Sequence, residues 1–210
     1  FGGKTALILE PIAAALSKQT GAPVKMVMSR QEELTDSRPG PGCIVQVKTG
    51  ARNDGTLVAE WAEIVYDTGA GPGAPVHNFD RTRGVYRIPN FHYDIYSVYT
   101  HKIIPGAYRA PGALELTFAF ESQMDALARA LDMDPVDLRL KNAVDEGDLT
   151  VDGNVYPAVG LRESLCQAGA YVKTLDRSDR RGIGIASGKW MNAVGASGVI
   201  LLLNEDGSAS

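Results

Sequence analysis

Residues 69–75 read Gly-Ala-Gly-Pro-Gly-Ala-Pro, a run that can build neither helix nor strand and has to be loop. What lies on its two sides is therefore separate structure. Before it, residues 5–20 are apolar and Ala-rich and stop at Gly21, which predicts a mostly buried helix. Pro23–Met28 predicts a strand and Gln31–Ser37 a short polar helix. Ile44–Thr49 and Leu57–Asp67 predict two strands joined through Arg52-Asn53-Asp54-Gly55, a good hairpin turn.

After the loop, Phe91–Tyr99 carries aromatics at 91, 93, 96 and 99, an imperfect period of two that fits a half-buried strand. Leu114–Leu131 predicts a helix with Met124, Leu127, Ala128 and Leu131 as its apolar stripe. Asp134-Pro135 opens the next helix, Asp as N-cap and Pro at the first helical position. Residues 145–160 combine glycines, Asp-rich turns and Pro157, the composition of a linker. Leu161–Tyr171 predicts a helix beyond it, and short strands near 182–186 and 198–203 begin a second unit. The class is mixed α/β, with one or two domains in 210 residues.

Composition excludes several functions. A net charge of −4 gives no electrostatic footprint for nucleic acid or an anionic membrane. Phe91, Tyr93, Tyr96 and Tyr99 are accordingly read as sheet packing, not as a stacking platform for bases. No apolar run approaches the roughly 20 residues of a membrane helix. Cys43 and Cys166 share no metal-ligand spacing, and His77, His92 and His101 are scattered, so redox chemistry would need a bound cofactor. Buried, inert thiols are expected at both cysteines. The chain opens without Met, and Val199–Leu203 enters a turn with no returning strand. An excised piece of a longer polypeptide is the expectation, with self-association through that strand edge.

Two segments carry chemistry. Phe1-Gly2-Gly3-Lys4 precedes the first helix, where backbone can approach a ligand and free N–H groups favour an anion. The bland alternative is a simple turn. Gly106-Ala107-Tyr108-Arg109-Ala110-Pro111-Gly112-Ala113 places a small-residue loop with one fixed cation before the helix at 114. Arginine offers planar donors to a phosphate or an oxo ligand. Its bland alternative is a surface loop whose arginine pairs with an acid. Glu121 and Asp125, one helical turn apart, read as an exposed or Arg-paired face before they read as paired catalytic carboxylates.

Together these segments resemble the molybdenum hydroxylases, the family of xanthine dehydrogenase, aldehyde oxidase and carbon monoxide dehydrogenase. Phe1–Lys4 resembles the second half of that family's Gly-Gly-Phe-Gly-Gly-Lys. Gly21-Ala22-Pro23-Val24-Lys25 with Ser29-Arg30-Gln31-Glu32-Glu33, Tyr86-Arg87-Ile88-Pro89-Asn90 and Ala107-Tyr108-Arg109 follow in order. Glu121 to Asn142 and Arg181-Gly182-Ile183-Gly184-Ile185-Ala186 complete six segments in register over the whole chain.

The resemblance implies a molybdopterin-binding fold of the aldehyde oxidase/xanthine dehydrogenase type, truncated at both ends. Residues 1–145 would be part of a first cofactor-binding domain, 146–180 a linker and connecting helix, and 181–210 the start of a second. It implies a large subunit that binds molybdenum through molybdopterin, in the cytosine dinucleotide form. The intact protein would oxidise a small molecule with oxygen from water and pass electrons to iron–sulfur clusters and FAD. These would sit on an iron–sulfur small subunit and an FAD-binding medium subunit, in a cytoplasmic oligomer of heterotrimers. Phe1, Gly2, Gly3, Arg109 and Ala110 match cofactor-facing positions, and Thr5, His77 and Pro111 match substrate-pocket positions, though a lone histidine in a Gly/Pro-rich loop is more often merely exposed.

Departures narrow the substrate. Xanthine-type members carry Glu, Arg and Phe where this chain has Thr5, His77 and Pro111, so the purine's polar and stacking contacts are missing. Copper-type carbon monoxide dehydrogenases carry Cys where this chain has Ala110, so a soft ligand for Cu(I) is missing. An aldehyde, an N-heterocycle or a similar small molecule is left. The family's general-base Glu lies beyond Ser210, and Glu10, Glu115 and Glu121 fall in packing helices; the 210 residues alone are expected to be inactive. The alternative class is a non-catalytic assembly module built on this fold. A nucleotide-binding reading lacks both a Walker A pattern and a strand-linked Gly-x-Gly-x-x-Gly.

Overall fold

The first helix, α1 (Glu10–Thr20), starts later than its apolar run because Pro11 fits only the first turn; Gly21, at φ 66°, ends it and donates its N–H to Ser17 O. The computed structural model describes residues 7–72, 85–150, 153–176 and 181–189, with 178, 198, 201, 202, 204, 206 and 208. The helix expected to be mostly buried has no buried residue, and Ile12 is 48% exposed. An Ala-rich run fixes helicity but not what covers it. Pro23–Met28 is likewise no strand: Val24, Met26 and Met28 are half-buried in alternation, but no described residue pairs with them. Alternation chooses a face; a strand also needs a hydrogen-bonded neighbour. Helix α2 (Arg30–Asp36) begins with a full capping box between Ser29 and Glu32.

Strands β1 (Cys43–Ala51) and β2 (Leu57–Asp67) form the expected antiparallel hairpin, with a register irregularity at Gly50/Ala51. Gly55 sits at φ 85° in the turn. Asp54 accepts hydrogen bonds from the Thr56 N–H and hydroxyl, which hold its carboxyl down at about 2. Strand β3 (Asn90–Val98) lies parallel to β2, so the order is β1-β2-β3 with β2 central. A parallel neighbour needs a long crossover, which residues 68–89 supply.

Helix α3 (Ala113–Ala130) serves two cores. Its first half sets Leu116 and Phe120 against Ala62, Ile64 and Tyr66, the alternate residues of β2. Its second half sets Met124 and Ala128 of the predicted stripe among Leu57, Val85, Tyr86, Ile88 and Leu138, with Leu127 and Leu131 at the margin. Helix α4 (Pro135–Asn142) is capped by Asp134, which accepts from the N–H groups of Val136 and Asp137. Asn142 closes α4 onto the hairpin: its amide donates to Gly55 O and accepts from Leu57 N, both at 2.9 Å.

Residues expected to be a linker are instead packed. Tyr156 joins the second core, and Arg87 binds Asp145 and Asp148 while Arg162 of α5 (Leu161–Lys173) also binds Asp145. Acidic turns look solvated when read alone; here they answer arginines brought in by the fold. Residues 181–189 include no strand, although Ile183 and Ile185 are half-buried in alternation; of 198–203 only 198, 201 and 202 are described, none in a strand.

The Arg162 hydrogen bond holds the Asp145 carboxyl below the usual range, and the Asp145 backbone N–H does the same for Asp148. Carboxylates depressed in the folded state stabilise it above their unfolded pKa near ~4, and that stability is lost as pH falls through the folded values. Thermal melting between pH 7 and 3 is therefore expected to show an acid-side fall that Asp148→Asn makes shallower. An unchanged slope in the variant would remove this cluster from the acid transition.

Candidate functional site

Of the residues singled out from sequence, Arg109, Ala110 and Pro111 are described; Phe1, Gly2, Gly3, Thr5 and His77 lie outside the described residues. The loop before α3 is built from below. Pro105 and Gly106 are buried, and the Gly106 N–H donates to Pro39 O at 2.9 Å. Gly40, beside it, stands so close to Tyr108 that an added Cβ would lie 3.5 Å from the Tyr108 Cβ. The chain then turns sharply: Ala110 is at φ 57° and Gly112 at φ 76°. A left-handed alanine costs about 1 kcal/mol or more and persists only where its surroundings over-determine it.

Arg109 is lifted into solvent by this turn, while Ala110 and Pro111 stay half-buried beneath it. Among the described residues no carboxylate pairs with Arg109. The bland reading of a surface arginine tied to an acid is thus not what these residues form. Immediately after it, Gly112 brings no side-chain cap to α3, and the Ala113 N–H donates to Ala110 O at 3.0 Å. A guanidinium with no carboxylate partner among the described residues, beside a helix N-terminus, is a donor for an anion or an oxo group.

The other candidates sort differently. Glu121 and Asp125 are Arg-paired, as one reading of their spacing had it: Arg139, fully buried, reaches Glu121 Oε2 and Asp125 Oδ1, each at 2.8 Å. Tyr86 Oη donates to Glu121 Oε1 at 2.7 Å and Ser187 N to Oε2 at 2.8 Å, leaving that carboxylate fully engaged. Tyr86, Glu121 and Arg139 of the sequence segments are therefore one buried network. Glu10 sits on the exposed start of α1. Cys43 is half-buried and its thiol is pushed up by burial and then by Glu115, whereas Cys166 is exposed, against the expectation of burial. Among the described residues no group of three His, Cys, Asp or Glu side chains is placed to hold a metal ion, and no helix is long and apolar enough to cross a membrane.

Sequence reasoning missed Asp67. It accepts from Thr100 Oγ1 at 2.6 Å, Lys102 Nζ at 2.7 Å and Gly69 N at 3.0 Å, at the root of the segment leading to Arg109. No local signal marks it, since its main partners lie 33 and 35 residues away.

Residues 1–143 match the family model for the molybdopterin cofactor-binding domain. The large molybdopterin subunit of nicotinate dehydrogenase from Eubacterium barkeri is 40% identical over 80% of this chain and 41% of that protein. A putative xanthine dehydrogenase molybdenum-binding subunit from Escherichia coli (strain K12) is 33% identical over 99% of this chain and 30% of its own length. Among solved structures, aldehyde oxidoreductase from Desulfovibrio gigas superposes with a TM-score of 0.71 at 30% identity, covering 82% of this chain and 20% of that one. The chain thus spans less than half the length of these relatives.

Proposed function

Because the chain belongs to the molybdopterin cofactor-binding domain family of the molybdenum hydroxylases, we propose that the whole protein oxidises an aldehyde, an N-heterocycle or a similar small organic molecule. The observation that supports this most directly is Arg109, raised on a left-handed turn at the start of α3 with no carboxylate partner among the described residues. Such donors fit an anionic cofactor with oxo ligands. When bound, that group supplies a two-electron acceptor through which an oxygen from water reaches a substrate carbon.

The chain's own contribution is placement. Arg109 would donate toward the cofactor and hold positive charge where negative charge develops in the transition state; by the resemblance, Ala110, Phe1, Gly2 and Gly3 would face the same group. Thr5, His77 and Pro111 would, by the same resemblance, belong to the substrate side. A pocket with these three residues lacks the acid, the cation and the ring that a purine would use, so xanthine is disfavoured even though several relatives carry that name. Ala110 offers no thiolate for copper, which disfavours carbon monoxide. The relatives named for nicotinate and for aldehydes support the two substrate classes that are left. By the same resemblance the pterin is the cytosine dinucleotide, and the cytoplasmic partners are an iron–sulfur small subunit and an FAD-binding medium subunit in an oligomer of heterotrimers. By that resemblance the first cofactor-binding domain would end near residue 145 and the second would begin near 181.

The test is metal and pterin analysis of the whole protein purified with its natural partner subunits. About one molybdenum and one pterin dinucleotide per large subunit, with turnover of an aldehyde or N-heterocycle, is the expected outcome. A well-folded complex holding neither molybdenum nor pterin would overturn the catalytic reading and favour an assembly module on the same fold.

A further inference from the structure

We propose that Asp67 and Gly69 are positioning residues that set the Arg109 loop by clasping the end of β2 to residues 99–104; this rests on the reading of Arg109 as a cofactor-facing group.

Parallel pairing continues beyond the last residues of β2 and β3. Thr68 N donates to Val98 O, Thr100 N to Gly69 O and Ala70 N to Lys102 O, at 2.8–2.9 Å. The Asp67 carboxylate reinforces this pairing from the side: Oδ1 accepts from Thr100 Oγ1 and Gly69 N, and Oδ2 from Lys102 Nζ. These contacts are unequal. Lys102 is largely in solvent, and an exposed ion pair contributes little. The bonds to the Thr100 hydroxyl and the Gly69 amide are partly buried and fix backbone directly.

The glycines make the clasp tight. Gly69 is at φ 63°, and a Cβ there would stand 2.2 Å from Ile103 O and 2.9 Å from Lys102 O. At Gly71 a Cβ would meet Ile104 Cδ1 at 2.7 Å. At Gly69 the two segments are therefore in direct backbone contact, while Gly71 meets only the tip of the Ile104 side chain. From Ile104 the chain passes directly into buried Pro105 and Gly106, which is bonded to Pro39. A shift at 102–104 has no slack to absorb it before Tyr108 and the left-handed Ala110. A displacement of about 1 Å in a positioning group costs on the order of 10²-fold in rate, so a clasp of this kind bears on turnover without touching the substrate.

The experiment uses the whole protein with its partner subunits and compares wild type, Asp67→Ala, Asp67→Asn and Lys102→Met. Hydrogen exchange of peptides covering 99–106 and 107–113 is expected to rise about tenfold in Asp67→Ala, with the β1–β2 hairpin unchanged. Molybdenum content and KM hold while kcat falls roughly 10- to 100-fold. Asp67→Asn keeps one acceptor oxygen and recovers most of the loss, and Lys102→Met stays close to wild type. Faster exchange confined to 67–71 and 99–102, with 107–113 and kcat unchanged, would overturn the proposal, as would loosening of the whole hairpin. A preparation without molybdenum would overturn the reading of Arg109 and leave the exchange data to decide the clasp.

Discussion

Replacing Arg139 with methionine is expected to destabilise the protein by about 3–5 kcal/mol, because it leaves Glu121 buried without its cation. Arg139 is fully buried and Glu121 is 6% exposed, so solvent cannot replace the lost partner. The guanidinium also donates to Glu121 O on α3 and to Pro135 O within its own helix α4, so a backbone tie between the two helices is lost along with the ion pair. Glu121→Gln in the same background removes the stranded charge while keeping an acceptor for Tyr86 or Ser187, and is expected to recover a large part of the loss. Asp125→Asn costs much less, since Asp125 is 37% exposed at its side chain. The measurement is the unfolding midpoint of the whole protein for wild type and the three variants. If Arg139→Met melts within a degree of wild type, the network is incidental.

That network also shows what was legible in sequence. Glu121 and Arg139 stood out as parts of ordered segments, and their helical spacing placed Glu121 and Asp125 on one face; that one arginine answers both could be guessed but not which. Asp134-Pro135 and Asp54-Gly55 were readable because their chemistry is local, each aspartate meeting a partner within three residues. The parallel pairing of β2 with β3 was not, since strand direction depends on a crossover rather than on either strand's own pattern. The same limit explains residues 145–160. Asp145 and Asp148 look like turn residues until Arg87, 58 and 61 positions away in sequence, is brought against them. Asp67 escaped notice for that reason too, whereas Arg109 was found because a small-residue loop before a helix is a local signal.

Arg109 is also where the second large effect is expected, and its value lies in a dissociation between stability and turnover. The side chain is exposed and pairs with no described carboxylate, so Arg109→Met should move the melting midpoint very little, within about 0.5 kcal/mol of wild type. In the loaded enzyme the same change should lower kcat by roughly 10²–10³-fold, the cost of removing one preorganised donor from a developing charge. Arg109→Lys keeps the charge but loses the planar fork, and belongs between the two. Ala110→Gly supplies the control: it relaxes the φ 57° turn and should not destabilise the fold through that residue, yet it frees the backbone that holds Arg109. A fall in kcat there, with molybdenum content intact, would show that the strained turn works by aiming the guanidinium. If Arg109→Met instead lowers the midpoint by several degrees and leaves kcat untouched, the residue is structural and the cofactor-facing assignment fails. Only a functional residue should be cheap for folding and costly for turnover, and its exposure on a strained loop is what makes that combination possible.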